Sequence, residues 1–365
     1  MKESADRDNK GELIRVFVVD DSLFMRRLIS DLLESDAEIA VVGTACSGQE
    51  ALKKIKEIGP DCVTLDLVMP GWDGLTTLKK IMGECPTPVI ILSAHSRQDA
   101  DITMTCINAG AVGVVLKPSG ELSLDIDVIK NQLIEQVKAL AAVNVQKIKT
   151  GIAVTAKRPG RPAPGSDMII IIGASTGGLQ ALRVILPCLP ADLPVPILVV
   201  QHLPSSFFTE SMAEHLGKEL ELEVKIAAND EVVRPGTVYI APAEFQTTLL
   251  SRETGAAGPG SKDIVFRLSK EQPGISSPSI DLTMQSAAAI FNDKVIGVIL
   301  SGMGEDGLVG IKAIKESGGR SIVQDESSMI FGMPKAVLDA GFADKVLPDT
   351  AIAQELVGMV GGSLG

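Results

Sequence analysis

The sequence predicts an α/β protein of two domains: an N-terminal doubly wound domain on a five-stranded parallel sheet, and a C-terminal α/β domain whose mainly parallel sheet carries an antiparallel hairpin. Three observations carry that expectation. Apolar runs alternate with amphipathic stretches up to about residue 140, a Pro/Gly-rich basic stretch then breaks the pattern, and the alternation restarts at Met168. The boundaries that follow are 13–140 for the first domain, 141–166 for a flexible linker and 167–362 for the second domain.

In the first domain the strands are expected at Ile14–Val19, Ile39–Val42, Cys62–Leu65, Val89–Leu92 and Val112–Leu116. Each is a short apolar run without polar alternation, as parallel strands covered on both faces require. Met25–Leu33 and Glu50–Ile58 read as amphipathic helices between them. A last helix is expected from about Leu124 to Leu140, where Ile126, Ile129, Leu133, Val137 and Leu140 recur at three- and four-residue spacing. The segment Asn144–Asp167 contains Lys147, Lys149, Lys157, Arg158 and Arg161 and ends in a Pro- and Gly-rich run. Such a run continues neither a helix nor a central strand, so it reads as the linker.

The second domain repeats the alternation. Strands are expected at Met168–Ile172, Ile197–Val200, Val224–Ile226, Val238–Ile240, Thr247–Leu250, Ile264–Leu268, Val295–Leu300 and Ser321–Val323, with helices over Leu179–Leu189 and Phe208–Leu220. From Val238 to Leu268 there is no helical pattern, and a Gly-rich turn lies at 255–260, which predicts the hairpin.

Composition narrows the function. The 365 residues leave room for two cores, and 45% hydrophobic with 22% charged residues is the balance of a globular protein. No apolar run is long enough to span a bilayer, and Met1–Arg15 is charged and polar rather than a signal sequence. A cytoplasmic location without direct membrane insertion is expected. Five cysteines, an odd number without C-x-x-C spacing, fit a reducing compartment and read as small buried side chains. A net charge of −12 with one Trp and one Tyr argues against nucleic-acid binding.

The expected strand ends of the first domain gather a specific set of groups. Asp20 and Asp21 end the first strand and Asp66 the third, while Ser93 and Lys117 follow the fourth and fifth. The carboxyl ends of parallel strands meet at one edge of a doubly wound sheet. Three carboxylates gathered there repel one another unless a hard cation such as Mg²⁺ joins them, which commonly meets a phosphoryl group. The runs Val18-Val-Asp-Asp-Ser22, Leu65-Asp-Leu-Val-Met-Pro-Gly-Trp-Asp-Gly74, Ser93-Ala94 and Lys117-Pro118 resemble the response-regulator receiver domain. The resemblance implies Asp66 as phosphoryl acceptor, with a histidine kinase as phosphodonor. It implies Mg²⁺ held by Asp20, Asp21, Asp66 and the backbone carbonyl of Val68, and Ser93 and Lys117 in contact with the phosphoryl group. Many receivers carry an aromatic residue three positions before this lysine, where this chain has Val114, so the usual aromatic switch is missing.

In the second domain Gly173-Ala-Ser-Thr-Gly-Gly178 lies between a strand and a helix. A dinucleotide fingerprint would place glycine at position 175 and an acidic residue after the next strand; here stand Ser175 and Gln201-His202. The same residues satisfy G-x-S-x-G, a turn that exposes a serine at a helix N-terminus. His202 follows the second strand and so falls at the same sheet edge, where it can act as a general base. The orienting carboxylate is expected at Asp306, in Ser301-Gly-Met-Gly-Glu-Asp-Gly307, and spacing alone leaves the adjacent Glu305 as a competitor.

These runs, with Gln201-His-Leu-Pro204, Pro235–Pro242, Pro278-Ser-Ile-Asp281 and Gln324–Ala336, resemble the chemotaxis protein-glutamate methylesterase. The resemblance implies Ser175 as nucleophile, His202 as base, Asp306 as its orienter, and Thr176 and Met303 beside the oxyanion. It implies hydrolysis of glutamyl γ-methyl esters on methyl-accepting chemoreceptors, with deamidation of receptor glutamines, and no cofactor for the hydrolysis itself. Where the family commonly has a glycine and then a histidine after Ala241-Pro242, this chain has Ala243-Glu244. A response regulator with a non-catalytic binding output domain is the competing reading.

Overall fold

The computed structural model of the protein describes residues 13–118, 126–141, 167–253, 262–270 and 278–361. The expected linker beyond Ala141 and the Gly-rich turn at 255–260 lie outside the described residues. Two units divide the chain, one of residues 13–94 and 113–141, the other of residues 95–112 and 167–361.

The first ten elements run β1 (Ile14–Val19), α1 (Leu23–Glu34), β2 (Ile39–Ala45), α2 (Gly48–Ile58), β3 (Cys62–Asp66), α3 (Gly74–Glu84), β4 (Val89–Ser93), α4 (Arg97–Asn108), β5 (Gly113–Leu116) and α5 (Ile126–Ala141). The strands form one parallel sheet in the order β2-β1-β3-β4-β5. Every residue of β3 and β4 is buried, as expected of central parallel strands. β2 outlasts the apolar run that predicted it. After a register shift between Val16 and Phe17, Gly43, Thr44 and Ala45 still pair with β1. Two helices start earlier than expected because serines cap them. Ser22 accepts the amide of Met25 and Ser47 that of Glu50, both at 3.4 Å.

The second series runs β6 (Ile169–Ala174), α6 (Gly178–Ile185), β7 (Ile197–Gln201), α7 (Ser206–Glu219), β8 (Glu223–Ile226), β9 (Thr237–Ile240), β10 (Phe245–Glu253), β11 (Lys262–Lys270), α8 (Ile280–Phe291), β12 (Val295–Ile299), α9 (Leu308–Glu316), β13 (Arg320–Gln324), α10 (Met333–Asp339), β14 (Lys345–Leu347) and α11 (Asp349–Gly361). Seven of the strands make a wholly parallel sheet in the order β14-β13-β12-β6-β7-β9-β8. The helix expected over Leu179–Leu189 narrows at Leu186 into a 3₁₀ turn, where Pro187 has no amide to donate.

β10 and β11 pair antiparallel over nine residues each, as a sheet of their own. α8 ties this hairpin down: Ser279 donates its amide to Gln246 Oε1 (2.8 Å), and Thr283 Oγ1 donates to the Thr247 carbonyl (2.7 Å). Beneath it, the rings of Tyr239 and Phe266 meet edge to face at 4.8 Å, both fully buried. An aromatic side chain sequestered in this way contributes about 1.5–3 kcal/mol.

The cysteines meet the expectation of burial only in part. Cys62 and Cys106 are buried, Cys85 and Cys188 half-buried, and Cys46 is exposed. Cys46 follows the last residue of β2 and enters the α2 cap, where its thiol donates to Glu50 at 3.3 Å. Burial pushes the Cys62 thiol up to about 12, leaving it unionised and unreactive.

Candidate active site and phosphoryl-acceptor site

β6 is the switch point of the seven-stranded sheet: the chain moves from it to β7 on one side, and β12 arrives on the other. In open α/β sheets such a point opens a crevice at the carboxyl ends of the strands. Ser175 directly follows β6, His202 follows β7, and Asp306 lies in the loop between β12 and α9. The three expected residues thus come from three adjacent strands.

The turn at Ser175 is held from both sides. The Ser175 amide donates to the Ser301 carbonyl (2.9 Å), and its own carbonyl accepts from Gln201 Nε2 (2.9 Å). Gly177 then turns the chain with φ +79°, a conformation that side-chain-bearing residues rarely adopt. A Cβ there would also lie 2.6 Å from Ser301 Oγ. A methyl group on Gly302 would stand 2.8 Å from Ser175 Cβ, so the loop after β12 runs directly beside the serine side chain.

His202 Nε2 lies 2.9 Å from Asp306 Oδ2. Both side chains are mostly buried, at 23% and 14% exposed. Asp306 also accepts the amides of Ile280 (3.0 Å) and Asp281 (2.9 Å). Burial alone would raise its carboxyl, but the bond to His202, the imidazole beside it and the two amides hold it below the ordinary carboxylate range. Glu305, the competing carboxylate, is exposed. Thr176 begins the turn into α6 and its carbonyl accepts Ser301 Oγ (2.7 Å), while Met303 is half-buried after Gly302.

In the other unit, Asp20, Asp21 and Asp66 bring carboxylate oxygens within 4.8 Å of one another. Lys117 Nζ lies 2.8 Å from Asp20 Oδ2 and 2.7 Å from Asp66 Oδ1. Burial and the neighbouring Asp20 charge raise the Asp66 carboxyl, against the pull of Lys117 and of the Val68 amide at 3.3 Å. One lysine therefore leaves this acidic set short of positive charge. Hard oxygens at this spacing suit Mg²⁺, so the residues present fit that ion. Ser93 ends β4 fully buried, and its carbonyl accepts the Lys117 amide (2.8 Å), which joins the two expected phosphoryl contacts at one edge.

Residues 170–356 match the CheB methylesterase family, and residues 16–128 match the response regulator receiver domain. The chain belongs to the CheB methylesterase family.

Its curated relatives agree along nearly the whole length. A protein-glutamate methylesterase/protein-glutamine glutaminase of Halalkalibacterium halodurans is 41% identical, over 94% of this chain and 97% of the relative. One of the same name from Thermotoga maritima is 39% identical, over 95% of this chain and 99% of the relative. The solved catalytic domain of Thermotoga maritima CheB methylesterase is 42% identical and covers 53% of this chain and 99% of that domain, with a TM-score of 0.49.

Several residues around Ser175, His202 and Asp306 escaped the sequence reading. Gln201 and Ser301 brace the turn at Ser175, Gln324 Oε1 accepts the Ser301 amide (2.9 Å), and Ser279 Oγ lies 3.4 Å from Asp306. Each sits inside a run the sequence singled out, but its role depends on which loops meet. Among the described residues no helix is long and apolar enough to cross a membrane.

Proposed function

We propose that this chain is a phosphorylation-controlled serine hydrolase that removes methyl groups from glutamyl γ-methyl esters of chemoreceptors in the cytoplasm, and deamidates receptor glutamines by the same route. The observation that supports the reading is the 2.9 Å contact of His202 with Asp306, with the His202 amide bonded to the carbonyl of Ala174 (3.0 Å), the residue before Ser175.

Because Nε2 of His202 engages Asp306, Nδ1 is the nitrogen left to face Ser175. His202 takes the Ser175 proton as Oγ attacks the ester carbonyl, and Asp306 stabilises the resulting imidazolium. The amide of Thr176, at the start of the α6 turn, and the Met303 segment face the developing oxyanion; one such donor is worth about 3–4 kcal/mol. Collapse expels methanol, protonated by His202, and leaves a glutamyl ester on Ser175. Water, deprotonated by His202, then releases the glutamate side chain and restores the serine. An amide substrate releases ammonia in place of methanol.

The receiver accepts a phosphoryl group on Asp66 from the phosphohistidine of a histidine kinase. Asp20, Asp21, Asp66 and the Val68 carbonyl would hold Mg²⁺, which neutralises charge on the transferring group. Lys117 and Ser93 would contact the phosphoryl oxygens.

A serine-directed acylating reagent tests the core of the proposal. We expect stoichiometric labelling at Ser175 that disappears in His202→Ala, together with loss of methanol release in Ser175→Ala to about a millionth of the parent rate. Near-normal release by folded Ser175→Ala would sink the mechanism and leave a binding output domain.

A further inference from the structure

Two helices of the catalytic unit begin against one another. The first turn of any helix leaves amides without intrahelical acceptors, and a side chain just ahead of it commonly supplies one. α8 has Ser279 for this purpose, whereas the residue ahead of α9 is Gly307, which has no side chain. Asp281, from the other helix, fills the gap. Its Oδ1 accepts the amides of Gly307 (2.8 Å) and Gly310 (2.7 Å). In return Asp306, immediately before Gly307, accepts the amides of Ile280 and Asp281. The Asp281 carboxylate closes the first turn of α9, and the Asp306 carboxylate, from the loop that leads into α9, binds the first amides of α8.

Little slack remains between them. A Cβ on Gly310 would lie 2.6 Å from Met284 Cβ and 3.2 Å from Asp281 Cα, so the helices touch through backbone. A Cβ on Gly307 would lie 2.4 Å from Ile299 Cδ1. The carboxylate of Asp306 is oriented from α8, and its backbone is held from α9 through Asp281.

We propose that Asp281 is the positioning residue for Asp306: by closing the first turn of α9 it fixes the Asp306 carboxylate at its 2.9 Å contact with His202. The proposal rests on reading Ser175, His202 and Asp306 as the triad. Without the Asp281 carboxylate, two largely buried amides lose their acceptor, and the loop bearing Asp306 relaxes to satisfy them. A misplacement of about 1 Å beside a reacting group can cost about 100-fold in rate.

The test uses the intact phosphorylated chain, methylated receptor as substrate, and the variants Asp281→Ala, Asp281→Asn and Asp281→Glu. In Asp281→Ala we expect kcat per folded molecule to fall about 100-fold at unchanged KM. The acid limb of the kcat/KM profile should move to lower pH, because the imidazolium loses its carboxylate, and the low-field N–H proton resonance of His202 should disappear. Asparagine keeps an oxygen acceptor at the same reach, so Asp281→Asn should restore the resonance and most of the rate. An acid limb and resonance identical to the parent would overturn the proposal and reduce Asp281 to a fold-stabilising role. A raised KM at unchanged kcat would overturn it in favour of substrate contact. If Asp281→Ala does not fold, Asp281→Glu decides by the same two readouts, since its longer side chain keeps the charge but moves the acceptor. Asp306→Asn runs in parallel. If that variant keeps its rate, the triad reading fails; if it loses rate while the Asp281 variants do not, only the role of Asp281 fails.

Discussion

One amide nitrogen of Gln201 donates to the carbonyl oxygens of both Ser175 (2.9 Å) and His202 (3.0 Å). The last residue of β7 thus ties the backbone of Ser175 to that of His202. Replacing it with leucine leaves both carbonyls without this donor, at a cost of about 1–3 kcal/mol. For a domain of this size each kcal/mol lowers the melting temperature by about 2–4 °C. We expect Gln201→Leu to melt earlier and to release methanol more slowly at unchanged KM. A variant that melts earlier but turns over at the parent rate would show that the link serves the fold alone.

Asp306 and Glu305 are neighbours in sequence, yet only Asp306 reaches His202. Asp306→Asn should lower turnover by about 10⁴, by analogy with other triads, while Glu305→Gln should leave it near the parent value. The reverse ranking would refute the assignment. The lowered carboxyl of Asp306 also has a stability consequence. A carboxylate held below its unfolded value of about 3.9 stabilises the fold above that pH, and this contribution disappears as pH falls through the folded value. Melting curves of parent and Asp306→Asn should therefore converge in acid.

Asp66 behaves in the opposite sense. Its folded value lies above its unfolded one, chiefly through burial, so the folded receiver holds this proton more tightly. Stability contributed by this group falls as pH rises from about 3.9 towards the folded value, and the deficit persists at neutral pH. Asp66→Asn should raise the receiver's melting temperature at neutral pH and leave it unchanged in strong acid. Added Mg²⁺ should stabilise the parent at neutral pH and have no such effect on Asp20→Asn or Asp21→Asn. Equal melting temperatures for parent and Asp66→Asn at every pH would contradict the charge deficit described here.

Control by the receiver is testable on one substrate. A fragment starting near Asp167 should hydrolyse methylated receptor faster than the intact chain without phosphodonor. Acetyl phosphate, or beryllofluoride with Mg²⁺, should stimulate the intact chain, and Asp66→Asn should abolish that stimulation while basal activity persists. A fragment no faster than the intact chain would mean that phosphorylation activates or recruits rather than relieving restraint.

Much of this was legible in the residues themselves. Continuous apolar runs marked the central strands, and polar residues just past them, such as Asp66, Ser175 and His202, could be placed at sheet edges because parallel strands share a direction. Other features were not. β14 is three residues long, Lys345–Leu347, with too little pattern to register. The hairpin forms a sheet of its own, bonded to α8 and to the segment 230–233, partners that lie far from it in sequence or carry no strand pattern. Asp281 stood within a recognised run, but its two amide partners lie 26 and 29 residues away and meet it only because α8 and α9 pack through Gly310. Spacing along the chain carries no trace of such a pairing.

The order of strands in the larger sheet bears on how the enzyme is made. β6 acquires one neighbour, β7, soon after synthesis, but its other neighbour is β12, and the bond from Ser301 to Thr176 joins residues 125 apart. On the ribosome the receiver can fold while the catalytic sheet still lacks its central partner. Until β12 docks, one flank of β6 exposes unpaired peptide groups, the state most open to aggregation. The nascent chain therefore carries Ser175 long before β12 and its loop arrive beside it, and a ribosome stalled before residue 295 bears an inert esterase.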